Sequence, residues 1–192
     1  MEPKDKKGIR CVFGGPELKR KKEPMWIARE YTNCSGCRKC EIACSLFHEK
    51  SIWPEASRVR VFMLVPGAEF PHMCAQCENY PCVKACPASA LSVSQYTGAI
   101  LVNNKACTAC GKCIAACPGK VPHMHPTEKH ILICDLCGGN PQCVKVCREG
   151  GWNVFKKVTR GDRTYSLYAR NPEEVTRDLC AKFYGEKGEE FV

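Results

Sequence analysis

Charged and apolar residues alternate in Arg58-Val59-Arg60-Val61-Phe62, the two-residue period of a half-buried strand. A second pattern, Ala90-Leu91-Ser92-Val93, then a turn over 95–98, then Ile100-Leu101-Val102, predicts a tight hairpin. A third repeats the form: residues 121–125, a turn at Pro126-Thr127-Glu128-Lys129, then His130-Ile131-Leu132-Ile133. Trp26-Ile27-Ala28-Arg29 opens the first patterned region. Near the C-terminus Val175, Leu179 and Phe183 share one helical face, and Asn171-Pro172-Glu173-Glu174 is a helix start with an N-cap, a first-position proline and first-turn carboxylates. The longest apolar runs, such as Val61-Phe62-Met63-Leu64-Val65, have five residues or fewer, so no membrane anchor is expected.

These segments are too short to bury a large core, and the composition explains why. Of 192 residues, 18 are cysteine, and 16 of those form four runs. The runs are Cys34, Cys37, Cys40, Cys44; Cys74, Cys77, Cys82, Cys86; Cys107, Cys110, Cys113, Cys117; and Cys134, Cys137, Cys143, Cys147. The first and third follow C-x2-C-x2-C-x3-C, the bacterial ferredoxin pattern, while the second and fourth lengthen the middle gap. Proline follows the run at Pro87 and Pro118, whereas Ser45 and Arg148 stand there in the other two.

A 4Fe-4S cube takes one thiolate per iron, and three cysteines close together in a loop present three sulfurs to one cube. The fourth lies about 6 Å further along a helix at 1.5 Å per residue. In two-cluster ferredoxins it serves the other cube. Zinc is the competing metal, but zinc sites use separated ligand pairs, which would leave the middle cysteine of every run surplus. A disulfide scaffold is the other use of so many cysteines, yet residues 1–8 contain no apolar core of a secretory signal. The expectation is a cytoplasmic chain, or one exported folded beside a signal-bearing partner. Because cubes replace much of the core, the metal-free chain is expected to be largely disordered.

The four motifs in this order, with a hairpin between the second and third, resemble the four-cluster electron-transfer subunits that accompany molybdenum or tungsten bis-pterin oxidoreductases of the dimethyl sulfoxide reductase type. The resemblance covers roughly residues 26–154. The stretch Cys117-Pro118-Gly119-Lys120, His125-Pro126 and 133–143 is more similar to the small subunits beside tungsten aldehyde-oxidoreductase-type enzymes, a group that includes tungsten-dependent benzoyl-coenzyme A reductases. The resemblance implies crosswise cubes: Cys34, Cys37, Cys40 with Cys147; Cys134, Cys137, Cys143 with Cys44; Cys74, Cys77, Cys82 with Cys117; and Cys107, Cys110, Cys113 with Cys86. It implies an α+β fold of two ferredoxin-like pseudo-repeat modules, one inserted in the other, with little conventional core. The domain scheme is a basic arm over 1–25, the four-cluster domain over 26–157, and an extension over 158–192 whose helix docks a partner.

The functional expectation is a non-catalytic electron wire carrying four 4Fe-4S clusters, bound to a large tungsten or molybdenum pterin subunit, with a ferredoxin or another redox subunit as further partner. Alternatives are a free polyferredoxin, an electron-transfer subunit of a hydrogenase or formate dehydrogenase and, from another class, a zinc-bearing nucleic-acid binder. The formal charge of +9 invites that last reading, but four cubes at about −2 each would offset most of it. Cys11 and Cys180 read as free thiols, with a further ligand site as the alternative. No histidine pair has zinc-enzyme spacing, and His72 reads as a surface histidine, with tuning of the site at Cys74 as the alternative. Trp53, Trp152 and Tyr80 are expected to pack against the clusters and exclude water.

Overall fold

The computed structural model describes residues 24–159 and 167–191; residues 1–23 of the basic arm, Cys11 among them, lie outside that range. In chain order the elements are β1 (Met25–Arg29), α1 (Lys39–Glu49), β2 (Arg60–Phe62), β3 (Phe70–His72), α2 (Pro81–Lys84), β4 (Leu91–Val93) and β5 (Ile100–Val102). They continue with α3 (Lys112–Ala116), β6 (His123–Met124), β7 (Ile131–Leu132), α4 (Gln142–Glu149), β8 (Phe155–Thr159) and α5 (Pro172–Tyr184). The fold is a mixture of short helices and small strands.

Strands form four separate antiparallel pairs among the described residues, β1 with β8, β2 with β3, β4 with β5, and β6 with β7. Two are the hairpins expected from the pattern. β4 and β5 join Leu91 to Val102, with Gly98 at φ 72° letting the turn close. β6 and β7 pair His123 with Leu132. The alternating segment at 58–62 becomes β2, and its partner β3, Phe-Pro-His, has no strand-like pattern. β1 pairs with β8 across more than a hundred residues, Ile27 opposite Lys157, and so closes the ends of the four-run region on each other.

The interior is built around the cysteines. One buried cluster joins Ile27, Val59, Met73 and Phe155 to Cys40, Cys44, Cys134 and Cys143. A second joins Leu91, Ile100, Ile131 and Ile133 to Cys82 and Cys113. A third uses none of the sixteen run cysteines: Val175, Leu179 and Cys180 of α5 cover Ala68 and Phe70. The helix that the sequence assigns to a partner therefore uses its apolar stripe on its own chain, which also buries Cys180 completely. Phe183 and Tyr184 remain about 42% exposed at its end. The predicted start is present as a capping box, Glu174 N–H to Asn171 Oδ1 at 2.9 Å and Asn171 N–H to Glu174 Oε2 at 3.1 Å. Among the described residues no helix is long and apolar enough to cross a membrane.

Candidate metal centres

Each cysteine run folds in the same way. The residue before the second cysteine takes a left-handed conformation in all four: Gly36 (φ 66°), Gln76 (55°), Ala109 (54°) and Leu136 (57°). Three of these are not glycine, and such conformations persist only where the surroundings impose them. The reversal brings backbone N–H groups toward sulfur, and Gln76 N lies 3.4 Å from Cys74 Sγ. Three helices then start from another left-handed residue, Arg38 before α1, Tyr80 before α2 and Gly111 before α3. None of α1 to α4 has a side-chain N-cap. Their first-turn N–H groups lie beside the third cysteine of each run, as at Cys40, Cys82, Cys113 and Cys143. The positive end of each helix thus faces an anionic ligand sphere.

α1 packs on α4, and α2 packs on α3. Those two contacts bring distant runs together around four cavities. The first is lined by Cys34, Cys37, Cys40 and Cys147, with Trp152 in its wall. The second holds Cys44, Cys134, Cys137 and Cys143. The third holds Cys74, Cys77, Cys82 and Cys117, with Tyr80 beside them. The fourth holds Cys86, Cys107, Cys110 and Cys113. All sixteen run cysteines are used once. Trp53 differs from expectation: its ring meets His125 edge-on at 5.3 Å and lines none of these cavities.

The cavities form a series. Burial is the main cause that raises Cys143, Cys134 and Cys82, and each is also raised by a cysteine of an adjoining cavity: Cys143 by Cys40 across the first and second, Cys134 by Cys74 across the second and third, and Cys82 by Cys113 across the third and fourth. Gln76 Nε2 also donates to Cys134 O at 3.0 Å, between the second and third. Of the seventeen described cysteines, all free, only Cys37 and Cys110 are exposed, and they belong to the two ends of the series.

Sulfur spacing discriminates between metals. One zinc ion holds its thiolates at about 2.3 Å, so no two of them lie more than about 4.6 Å apart. Among the described residues, no three cysteine sulfurs lie mutually within 4.8 Å. The one compact donor set, His48, Asp135 and Cys137, sits in the wall of the second cavity. Four sulfurs set wide around a cavity, with N–H groups aimed at them, fit a cube with one thiolate per iron.

Without metal the thiols resist ionisation. Burial pushes Cys74 and Cys137 up to about 12 and Cys82 up to about 11, and raises Cys40, Cys134 and Cys143 as well. Loading such sites must therefore expel protons. Exposed Cys110 is held below the ordinary thiol value by the Lys112 N–H and the Thr108 side chain, and among the buried cysteines Cys44 is the exception. Burial raises it too, but His48 and the Arg58 N–H, 3.2 Å from its sulfur, outweigh that and hold it below the ordinary thiol value. His48 Nδ1 donates to Cys44 O at 2.9 Å, and Nε2 faces Asp135 Oδ1 at 3.0 Å. Both nitrogens thus meet acceptors, which suits the imidazolium.

His48 lies four residues after Cys44 on α1, a helical spacing that the sequence itself displays. His72 is not on the surface; it is buried, and Nε2 donates to Gly119 O at 2.6 Å. Burial pushes its pKa down to about 4. Arg29, buried beside Cys74, had no sequence signal.

Comparison with known proteins agrees with this chemistry. Residues 66–157 match a family described as a 4Fe-4S dicluster domain. The chain is 52% identical over 165 residues to the polyferredoxin-like subunit of an aliphatic sulfonate oxidoreductase from Pyrococcus furiosus, covering 85% of this chain and 95% of that one. It is 35% identical to protein NrfC of Escherichia coli K12, over 59% of this chain and 57% of NrfC. It is 26% identical to the formate dehydrogenase-O iron-sulfur subunit of the same organism, over 81% and 62%. Among solved structures, the BamBC active-site complex of benzoyl coenzyme A reductase with benzoyl-CoA contains a chain that is 22% identical, with a TM-score of 0.42 and coverage of 85% of this chain and 92% of that one.

Proposed function

Given that the chain belongs to the family of polyferredoxin-like iron-sulfur subunits of oxidoreductases, we propose that it holds four 4Fe-4S clusters in series and relays electrons for a separate catalytic subunit. Its place as an iron-sulfur electron-transfer subunit follows from that kinship. The finer reading has one principal support: four cavities, each walled by four cysteines from two runs, stand in a line whose ends carry the two exposed cysteines, Cys37 and Cys110.

When bound, the clusters supply one-electron redox chemistry at potentials set by charge, hydrogen bonding and burial. The chain's residues do the rest. The sixteen run cysteines supply all the thiolates that four cubes require, which leaves no iron open to substrate and gives the subunit no bond chemistry of its own. Left-handed turns and uncapped helix starts aim N–H groups at sulfur, and Trp152 and Tyr80 shield two of the cavities from water. In this reading α1 with α4 and α2 with α3 are two ferredoxin-like modules, the second inserted in the first.

The partner is a tungsten or molybdenum pterin subunit, cytoplasmic and anaerobic in setting, with a ferredoxin-type protein at the other end of the line. The named relative, a subunit of a sulfonate oxidoreductase, supports a multi-subunit setting. Anaerobic purification with iron and sulfide analysis tests the cluster count, with about 16 irons per chain expected. Stoichiometric zinc, or iron for only two clusters, would overturn it. Isolation from the native cell tests the partner: a large pterin-bearing chain should co-purify, and a fully loaded chain recovered alone counts against it.

A further inference from the structure

Cations near the cavities differ in how they are neutralised. Beside the second cavity, Arg58 Nη1 meets Glu49 Oε1 at 3.0 Å, and His48 meets Asp135. At the first, Arg38 is half exposed and pairs with Glu41 at 3.3 Å, while exposed Lys39 lies over the Trp152 ring. Near the fourth, Lys105 and Lys112 are exposed, where water screens them.

Arg29 matches none of these cases. It is 5% exposed on β1, its Nη2 donates to Cys74 O at 2.9 Å, and its guanidinium lies 4.9 Å from the centre of the Tyr168 ring. Tyr168 is itself held in place: its hydroxyl accepts from Arg29 N–H at 3.1 Å and donates to Arg29 O at 3.0 Å. Arg29 Nε and Nη1 are buried with no partner, and no carboxylate pairs with this side chain among the described residues. A buried, unpaired cation is strongly unfavourable unless negative charge lies close by. The wall of the third cavity is directly beside it, through Cys74 on one side and Ala169, next to Tyr168, on the other.

We propose that Arg29 is the counter-charge of the cluster held by Cys74, Cys77, Cys82 and Cys117, and that it sets this cluster's reduction potential above those of its neighbours. The proposal rests on the reading of that cavity as a 4Fe-4S site. Reduction adds one negative charge to the cluster, and a buried cation, unscreened by water, favours the reduced form. The third cluster then becomes the electron reservoir of the line, and Arg29 is a positioning residue for charge.

The test is an anaerobic redox titration of the iron-loaded full chain, followed by electron paramagnetic resonance, with the third-cavity signal assigned as the one lost in Cys77→Ser. In Arg29→Gln that signal should shift to more negative potential, so that its reduced-to-oxidised ratio falls at least tenfold at the wild-type midpoint, 59 mV for one electron. The other three signals should move less. Arg29→Lys should keep most of the wild-type value, since charge is retained. Tyr168→Glu, which offers Arg29 a carboxylate, should shift the same signal negative, and it serves as the probe if Arg29→Gln does not assemble. Unchanged potentials at full iron content, or an Arg29→Lys shift as large as that of Arg29→Gln, would overturn the proposal. Iron content unaffected by Cys77→Ser would instead remove the cluster reading itself, and the proposal with it.

Discussion

The backbone N–H of Val61 donates to Glu41 Oε1 at 2.6 Å, tying β2 to the turn of α1 between Cys40 and Cys44. The carboxylate is only 4% exposed and also pairs with Arg38. Glu41→Ala leaves the Val61 N–H buried without an acceptor, and a loss of about 2 to 3 kcal/mol is expected. Anaerobic thermal unfolding, read as bleaching of cluster absorption, should show a clear fall in midpoint. An unchanged midpoint would mean that water or another group replaces the carboxylate.

The His48–Asp135 pair should make stability depend on pH. Burial opposes both charges, but the hydrogen bond and mutual attraction outweigh it, so His48 rises to about 9 and Asp135 falls below the ordinary carboxylate value. A histidine with a raised folded value stabilises fully below about 6.5, and that contribution is lost as pH rises through about 9. The carboxylate contributes above its ordinary range and loses its effect as pH falls through its depressed value. The stability difference between wild type and Asp135→Asn should therefore be largest between the ordinary carboxylate range and about pH 6.5, and fall from there toward pH 9 and beyond. A flat difference across that window would contradict the pairing.

The proposed crosswise sharing of cysteines predicts which substitutions are equivalent. Cys147→Ser and Cys37→Ser should each disturb one centre and the same one, although 110 positions separate them in the 192-residue sequence. The double variant should lose no more than about four irons, as either single variant does. Cys147 and Cys137, members of one run but of different cavities, should instead give additive losses. Iron analysis with resonance spectra of each variant decides the matter.

Equivalent positions in the four loops should respond in opposite directions. At Gly36, φ is 66° and an added Cβ would lie 2.8 Å from Glu69 Cγ, so Gly36→Ala should cost about 1 kcal/mol or more and weaken cluster retention in the first cavity. At Ala109, φ is 54°, and Ala109→Gly relieves the same strain, with an outcome between neutral and about 1 kcal/mol more stable. Rates of iron release to a chelator would separate the two.

Local features of the fold were open to reading in the sequence because their causes are local. The turns of the 90–102 and 121–133 hairpins, the Asn171 cap and the charged–apolar alternation of β2 each depend on residues a few positions apart. β3 was not readable: its central Pro71 cannot donate to a ladder, and such a residue argues against a strand until a partner edge is in place. The burial of His72, the contact of Trp53 with His125 and the use of α5 on Phe70 all depend on groups brought from elsewhere in the chain.

By itself the sequence determined the donor type, the four runs and, through their spacing, iron-sulfur chemistry in preference to zinc. Spacing leaves open which fourth cysteine joins which three, because any run can present three sulfurs to one site and a fourth to another; the crosswise sets came only as an implication of resemblance. Tertiary structure decides which cysteines line a common cavity. α1 lies against α4 and α2 against α3, while β1 closes on β8, and these contacts carry Cys147 to Cys34 and Cys117 to Cys74. That Arg29 is buried with no carboxylate partner among the described residues was decided in the same way, since pairing depends on chain segments distant in sequence.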